Sequence, residues 1–221
     1  MAFQRILFRF SKEGEAKFLS HRDLMRLFER ALRRAGLPVR MSQGFNPHPR
    51  LSILSALALG VEAANEAVEI GFEPPVAPAE AMGRLGEQLP EGVRLRSAQA
   101  LPEGARMRVE SVVYEAELPA GRSLEPEAVS RFLAQEAAVV ERATPAGRRA
   151  VDVRPAVEGM AIEGGRLRFQ LRVSQGGTPK ATDVLAAVLG CAPEDVAGIP
   201  LRRAAVNVAV ASPPQQAEPG R

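Results

Sequence analysis

The order of hydrophobic periodicities along this chain repeats, and that repeat limits the folds open to it. "RILFRF" alternates, with Ile6, Phe8 and Phe10 on one face of an extended segment and Arg5, Leu7 and Arg9 on the other. A helix follows. Ser20 stands as N-cap and Asp23 three residues on, the spacing of a capping box. Leu24, Leu27, Phe28, Ala31, Leu32 and Ala35 recur at helical spacing, while Arg22, Arg26, Arg30, Arg33 and Arg34 lie mostly elsewhere. Gly36 and Pro38 stop it, so the spacing predicts a helix over Ser20 to Ala35. "PVRMS" reads as a second strand. "RLSILSALALGVEAANEAVEIGFE" holds a third strand or a bent pair, "APAEAMGRLGEQLP" a second helix and "GVRLRSAQAL" a fourth strand.

The pattern then recurs. "RVESVVYEAELP" is a strand. "EPEAVSRFLAQEAAVVERA" is a helix with Val129, Phe132, Leu133 and Val140 facing inward. "RRAVDVRPAVEGMAIEGGRLRFQLRVS" supplies two strands joined through Glu163-Gly164-Gly165. "TPKATDVLAAVLG" is a helix capped by Thr178, with Pro179 first and Gly190 at the stop, and "IPLRRAAVNVAV" is the last strand. The expected fold class is α+β, as two tandem ferredoxin-like β-α-β-β-α-β units over residues 1–101 and 106–211. The apolar-poor tail, 212–221, is expected to be disordered.

Such a unit packs its helices on one sheet face, and the alternation says what the other face carries. Arg5 and Arg9 point away from the helices, and Arg94, Arg96 and Arg40 alternate with apolar neighbours in the same sense. Arg166, Arg168, Gln170 and Arg172 do likewise in the second unit. Net charge is only +3, so distribution matters more than the total, and nearly all of the basic residues are arginine, with lysine only at 12, 17 and 180. Rows of guanidinium groups suit phosphate, the dominant contact in nucleic-acid affinity. The plainer reading is that alternating arginine solvates an exposed sheet. The chain has no tryptophan and one tyrosine, Tyr114, so RNA would be held by phosphate and shape more than by base stacking.

Both histidines fall in distinctive segments, His21 in "FLSHRDLMRLFERALRRAGLP" and His48 in "SQGFNPHPR". Two prolines stiffen the backbone around His48, and Gly44 permits a tight turn. A stiff loop of Phe45, Asn46, His48 and Arg50 suits an anion or a planar group. His21 and Arg22 open the first helix, beside orphan amide donors that favour anions. If the two segments meet, the histidines form one pocket and a candidate acid/base pair. If they do not, each has a structural role in its own segment. "SQGGTPK" at 174–180 is a mild anion-site signal, and as often a plain turn.

No apolar run reaches the length of a membrane span, and Arg5 and Arg9 interrupt the N-terminal apolar stretch, so cytoplasmic residence is expected. The single cysteine, Cys191, cannot form an intrachain disulfide, a multi-thiolate zinc site or a self-contained iron–sulfur cluster, and reads as a small buried residue. No metal and no cofactor are expected.

"SHRD", "ALRRAGLPV", "GFNPHP" and "LALGVEAANEAVEI" together span roughly the first 75 residues. In these motifs the chain resembles the bacterial radical-SAM-linked protein family, whose members are encoded beside, or fused behind, a radical S-adenosylmethionine enzyme. The resemblance implies partnership with such an enzyme and assigns no catalytic residues. The C-x-x-x-C-x-x-C pattern that holds the cluster of radical enzymes is absent here. The expected function is therefore an RNA-binding accessory protein, more a companion than an enzyme, acting in rRNA or tRNA modification. The alternatives are an RNA endonuclease using His21 or His48, and a protein-interaction adaptor whose arginines only solvate.

Overall fold

The computed structural model describes residues 3–118, 124–145, 147–174 and 177–211. The expected tail, and Gln175 and Gly176 of "SQGGTPK", lie outside them. The fold is mixed α+β, with four α-helices among the described residues and strand pairs of both senses. Two compact units divide the chain: one holds the chain up to Gly60, Ala64–Val109 and the chain from Val208; the other holds Val61–Ala63 and Glu110–Asn207.

In the first unit, β1 (Gln4–Lys12), α1 (His21–Arg34), β2 (Leu51–Ile53), β3 (Glu62–Phe72), α2 (Pro78–Gly86) and β4 (Val93–Ala100) follow one another. The strands lie in the order β4-β1-β3-β2. Ile6, Phe8 and Phe10 are fully buried against Leu24, Phe28, Ala31 and Leu32 of α1, with the Phe10 and Phe28 rings edge to face at 5.1 Å. Each such side chain contributes about 1.5–3 kcal/mol by leaving water, which is why α1 lies on this sheet face and no other. Ser20 caps α1: its hydroxyl accepts from the Asp23 N–H, and the Asp23 carboxylate accepts from the Ser20 N–H. Buried Lys12 fixes the turn ahead of the helix by donating to the carbonyls of Lys17 and Leu19 at 3.1 and 3.2 Å. Gly36, at φ 61°, lets the chain leave the helix.

The expected second strand "PVRMS" is reduced to isolated bridges, Val39 with Phe72 and Met41 with Pro49. The reason is local: the Arg40 N–H donates to Gly71 O and the Arg50 N–H to Arg40 O, so the chain between them leaves the sheet as a loop. The bent pair is realised as β2 and β3.

In the second unit, β5 (Arg106–Glu117, its first residues up to Val109 in the first unit), α3 (Pro126–Leu133), β6 (Val139–Thr144), β7 (Gly147–Asp152), β8 (Val157–Glu163), β9 (Arg166–Arg172), α4 (Ala181–Leu189) and β10 (Leu201–Ala211, its residues from Val208 in the first unit) follow. Its strands lie in the order β10-β5-β9-β8, and β6 with β7 forms a separate hairpin. Glu62 and Ala63, the first two residues of β3, belong to this second unit, and Arg202 and Arg203 pair in parallel with them. The long helix expected through Val140 ends at Leu133. Val140 is buried, but on β6, where its β-branched side chain fits a pleated surface. The two strands expected before Val173 are three, with Gly164 and Gly165, at φ 56° and 76°, turning β8 into β9. α4 starts at Ala181 instead of Pro179, and Cys191 is half-buried instead of buried.

The boundary falls at Val109, later than the expected junction at 101–107, because Leu101 and Met107 pack with Leu7, Ala67 and Val208. This small apolar cluster sits on the face of β1 away from α1, the face the alternation assigned to arginines.

Candidate anion-binding cleft

Alternation along three strands builds the candidate site within the first unit. Val68, Ile70 and Phe72 are buried toward the helices, so Glu69 and Gly71 face the opposite way. Ser52 pairs with Glu69, and Arg50 and Arg40 both hydrogen-bond the Gly71 backbone. On the same face, Arg5 of β1 reaches Glu69 at 3.0 Å and also donates to the Ala105 carbonyl. Between them opens a cleft of about 740 Å³ whose lining includes Arg5, Arg40, Arg50 and Arg106.

The four guanidinium groups differ in what they have free. Arg5 is engaged by Glu69. Arg40 pairs with Glu73 at 3.6 Å and lies 3.7 Å over the Phe3 ring, which fixes its plane. Arg50 and Arg106 are exposed and make no ion pair within 4 Å to any described carboxylate. Four arginines against the one lining carboxylate, Glu69, leave the cleft positive. Glycine at 71 keeps the floor open: a Cβ there would lie 3.4 Å from that of Arg50 and 3.5 Å from that of Arg40.

The loop of "SQGFNPHPR" forms one wall. The Ser42 N–H donates to His48 O at 2.7 Å, and the Ser42 hydroxyl accepts from the His48 N–H at 2.9 Å. Gly44 has φ 129°, a conformation that suits glycine alone. Ser42 and Pro49 line the cleft; Asn46 and the His48 side chain are exposed, and Phe45 is fully exposed. His48 therefore closes the loop through its backbone.

The other expected residues lie elsewhere. His21 and Arg22 open α1, whereas the 40–50 loop follows its far end; the 14 residues of α1 span about 21 Å. The structure thus does not join His21 and His48 in one pocket, because a β-α-β crossover places a helix start and the loop after that helix at opposite ends of the strands. Arg9 is half-buried, and burial lowers its guanidinium from the usual value, with the charge of Glu66 opposing the shift. Arg94 pairs across from Ser11, and Arg96 meets Glu13 at 3.7 Å. In the second unit the row on β9 is met by carboxylates: Arg166 and Arg168 stand opposite Glu117 and Glu115 in register and pair with them, and Arg172 pairs with Glu158 at 2.8 Å. β9 read alone showed only the cations; its partners β5 and β8 hold the anions.

Sequence reading missed Arg106, Phe3, Glu69 and Gly71. Only the alternation of β3 hinted at the last two. Arg106 lies some hundred residues from Arg5 with no local signal linking them. Among the described residues no group of three or more His, Cys, Asp or Glu is placed to hold a metal ion, and no helix is long and apolar enough to cross a membrane.

A mixed α+β chain with an arginine-lined cleft in one unit is the class of protein the fold and site define. The family model for "Uncharacterized protein conserved in bacteria (DUF2344)" matches residues 5–182, and the chain belongs to that family. No curated protein matches it. Among solved structures, the crystal structure of an unknown protein from Galdieria sulphuraria is similar at 15% identity, with TM-score 0.26, over 96% of this chain and 100% of that one.

Proposed function

We propose that the protein is an RNA-binding accessory protein whose first unit takes a phosphate of RNA in the cleft, and that each unit is ferredoxin-like, the second carrying an inserted hairpin. The strand orders β4-β1-β3-β2 and β10-β5-β9-β8 support the ferredoxin-like reading. One observation carries the functional reading: Arg50 and Arg106, without ion partners among the described residues, converge on one cleft whose wall is the loop that carries the fully exposed Phe45. Arginine offers a forked donor set to phosphate, and an exposed aromatic ring on a stiff loop offers a stacking face to an unpaired base. The resemblance adds the setting: a radical S-adenosylmethionine enzyme as partner, rRNA or tRNA modification as the process, and the cytoplasm as the place. The ion-paired strands of the second unit are the solvating face of the adaptor reading, which leaves RNA to the first unit.

The test is a salt titration of binding to a fluorescent tRNA and a fluorescent rRNA hairpin. Replacing Arg50 and Arg106 together by alanine should weaken binding and reduce the salt slope by about one, for the cleft phosphate no longer neutralised. An unchanged slope overturns the reading. RNA cleavage by the purified protein, abolished in either His21→Ala or His48→Ala, replaces it with the endonuclease.

A further inference from the structure

Helix α1 carries a second charged surface, on the other side of the sheet from the cleft. At 100° per residue, Arg22, Arg33, Arg26, Arg30 and Arg34 fall within an arc of about 120°, opposite the buried Leu24, Phe28, Ala31 and Leu32. All five are exposed, and none makes an ion pair within 4 Å to a described carboxylate. Arg22, Arg26, Arg30 and Arg34 follow at i, i+4, the spacing at which like charges oppose the helix by about 0.2–0.5 kcal/mol per pair. Asp23, the acidic residue in this arc, is tied to Ser20, whose hydrogen bonds, with lesser help from Arg26 and Arg22, hold its carboxyl below the usual range. Glu29 falls just outside the arc, on its Arg22 side.

The arginines do not stand over bare polar surface. Arg26, Arg30 and Arg34, with Asp23, line a groove of about 400 Å³ whose apolar residues are Leu19, Leu27 and Pro90, and Arg34 is anchored there by donating to Gln88. A phosphate backbone makes no use of an apolar floor. A helix with one apolar stripe flanked by carboxylates matches both parts: apolar side chains on Leu19, Leu27 and Pro90, acids on the arginine rim. From Arg22 to Arg34 the surface runs about 18 Å, room for three turns of such a helix.

We propose that the outward face of α1 is a docking surface for an acidic amphipathic helix of a partner protein, independent of the cleft. The probe is a synthetic helix of about 14 residues, three to four turns, with leucine at i, i+3, i+4 and i+7 and mostly glutamate elsewhere. Its control is the same composition scrambled, and binding to the full chain is read by fluorescence anisotropy. The amphipathic peptide should bind at least about tenfold more tightly than the scrambled one, and Arg26→Ala with Arg30→Ala should remove about tenfold. Both positions are exposed and alanine is the strongest helix former, so the fold should persist, as circular dichroism will check. A peptide with lysine for glutamate should regain binding to Arg26→Glu with Arg30→Glu. Equal binding of the two peptides, or indifference to the double substitution, overturns the proposal. Loss of polyuridylate binding in the α1 variant without loss of peptide binding also overturns it and makes α1 a nucleic-acid surface. Cleft variants at Arg50 and Arg106 should leave peptide binding unchanged, so failure here is distinct from failure of the RNA reading.

Discussion

Phe45 has no packing role in the first unit: it is fully exposed on a loop closed by Ser42 and His48. Phe45→Ala should therefore shift stability by less than about 0.5 kcal/mol. If the ring stacks a base, RNA affinity should fall by about 1–3 kcal/mol, read by titration beside a melting curve. A large loss of stability with unchanged affinity would show the ring to be structural. Leu7 is its counterpart in reverse. Alternation placed it among arginines on the outer face of β1, yet it is buried with Ala67 and Leu101. The apolar identity of Leu7 was legible, but its partners were not, because Leu101 and Val208 arrive from distant parts of the chain.

α1 is the element that the sequence described best, since its cap, core face and stop are all local. Ser20→Ala removes the hydroxyl that accepts from the Asp23 N–H and should cost about 1 kcal/mol in chemical denaturation. It should also change the acid limb. The Asp23 carboxyl is held below its ordinary value chiefly by Ser20, so the stability it adds is present above the ordinary carboxylate range and is lost as pH falls through the lowered value. In Ser20→Ala that part of the acid dependence should flatten, and an unchanged pH profile would remove Ser20 as its cause. The helix expected through Val140 shows the converse: its alanines and valines suit either state alone, and the β7 partner selects the strand.

At the scale of the molecule, Val208 belongs by packing to the first unit, although its strand β10 begins in the second. Val208→Asp places a carboxylate against Leu7 and Leu101, and should destabilise the first unit by about 2 kcal/mol or more. Hydrogen exchange of β1 and β4 amides reads this directly; unchanged protection there would show that Val208 does not support that unit.

The sequence by itself determined the helix α1, the alternating strands, the tight loop of "SQGFNPHPR" and the mixed α+β class, because caps, turns and periodicities are properties of neighbours in the chain. It also supplied Arg5 and Arg40 as cations on one side of their strands, and Arg50 as a cation of the loop. Tertiary structure alone decided which charges remain unpaired. Glu69 and Glu73 meet Arg5 and Arg40, and Glu115 and Glu117 meet the row on β9, while Arg50 and Arg106 meet none among the described residues. It decided, too, that His21 and His48 stand at opposite ends of α1. The physical reason is one and the same: strand register and helix crossover set distances between residues far apart in sequence, and an arginine's charge is available to a ligand only where that register leaves it without a carboxylate.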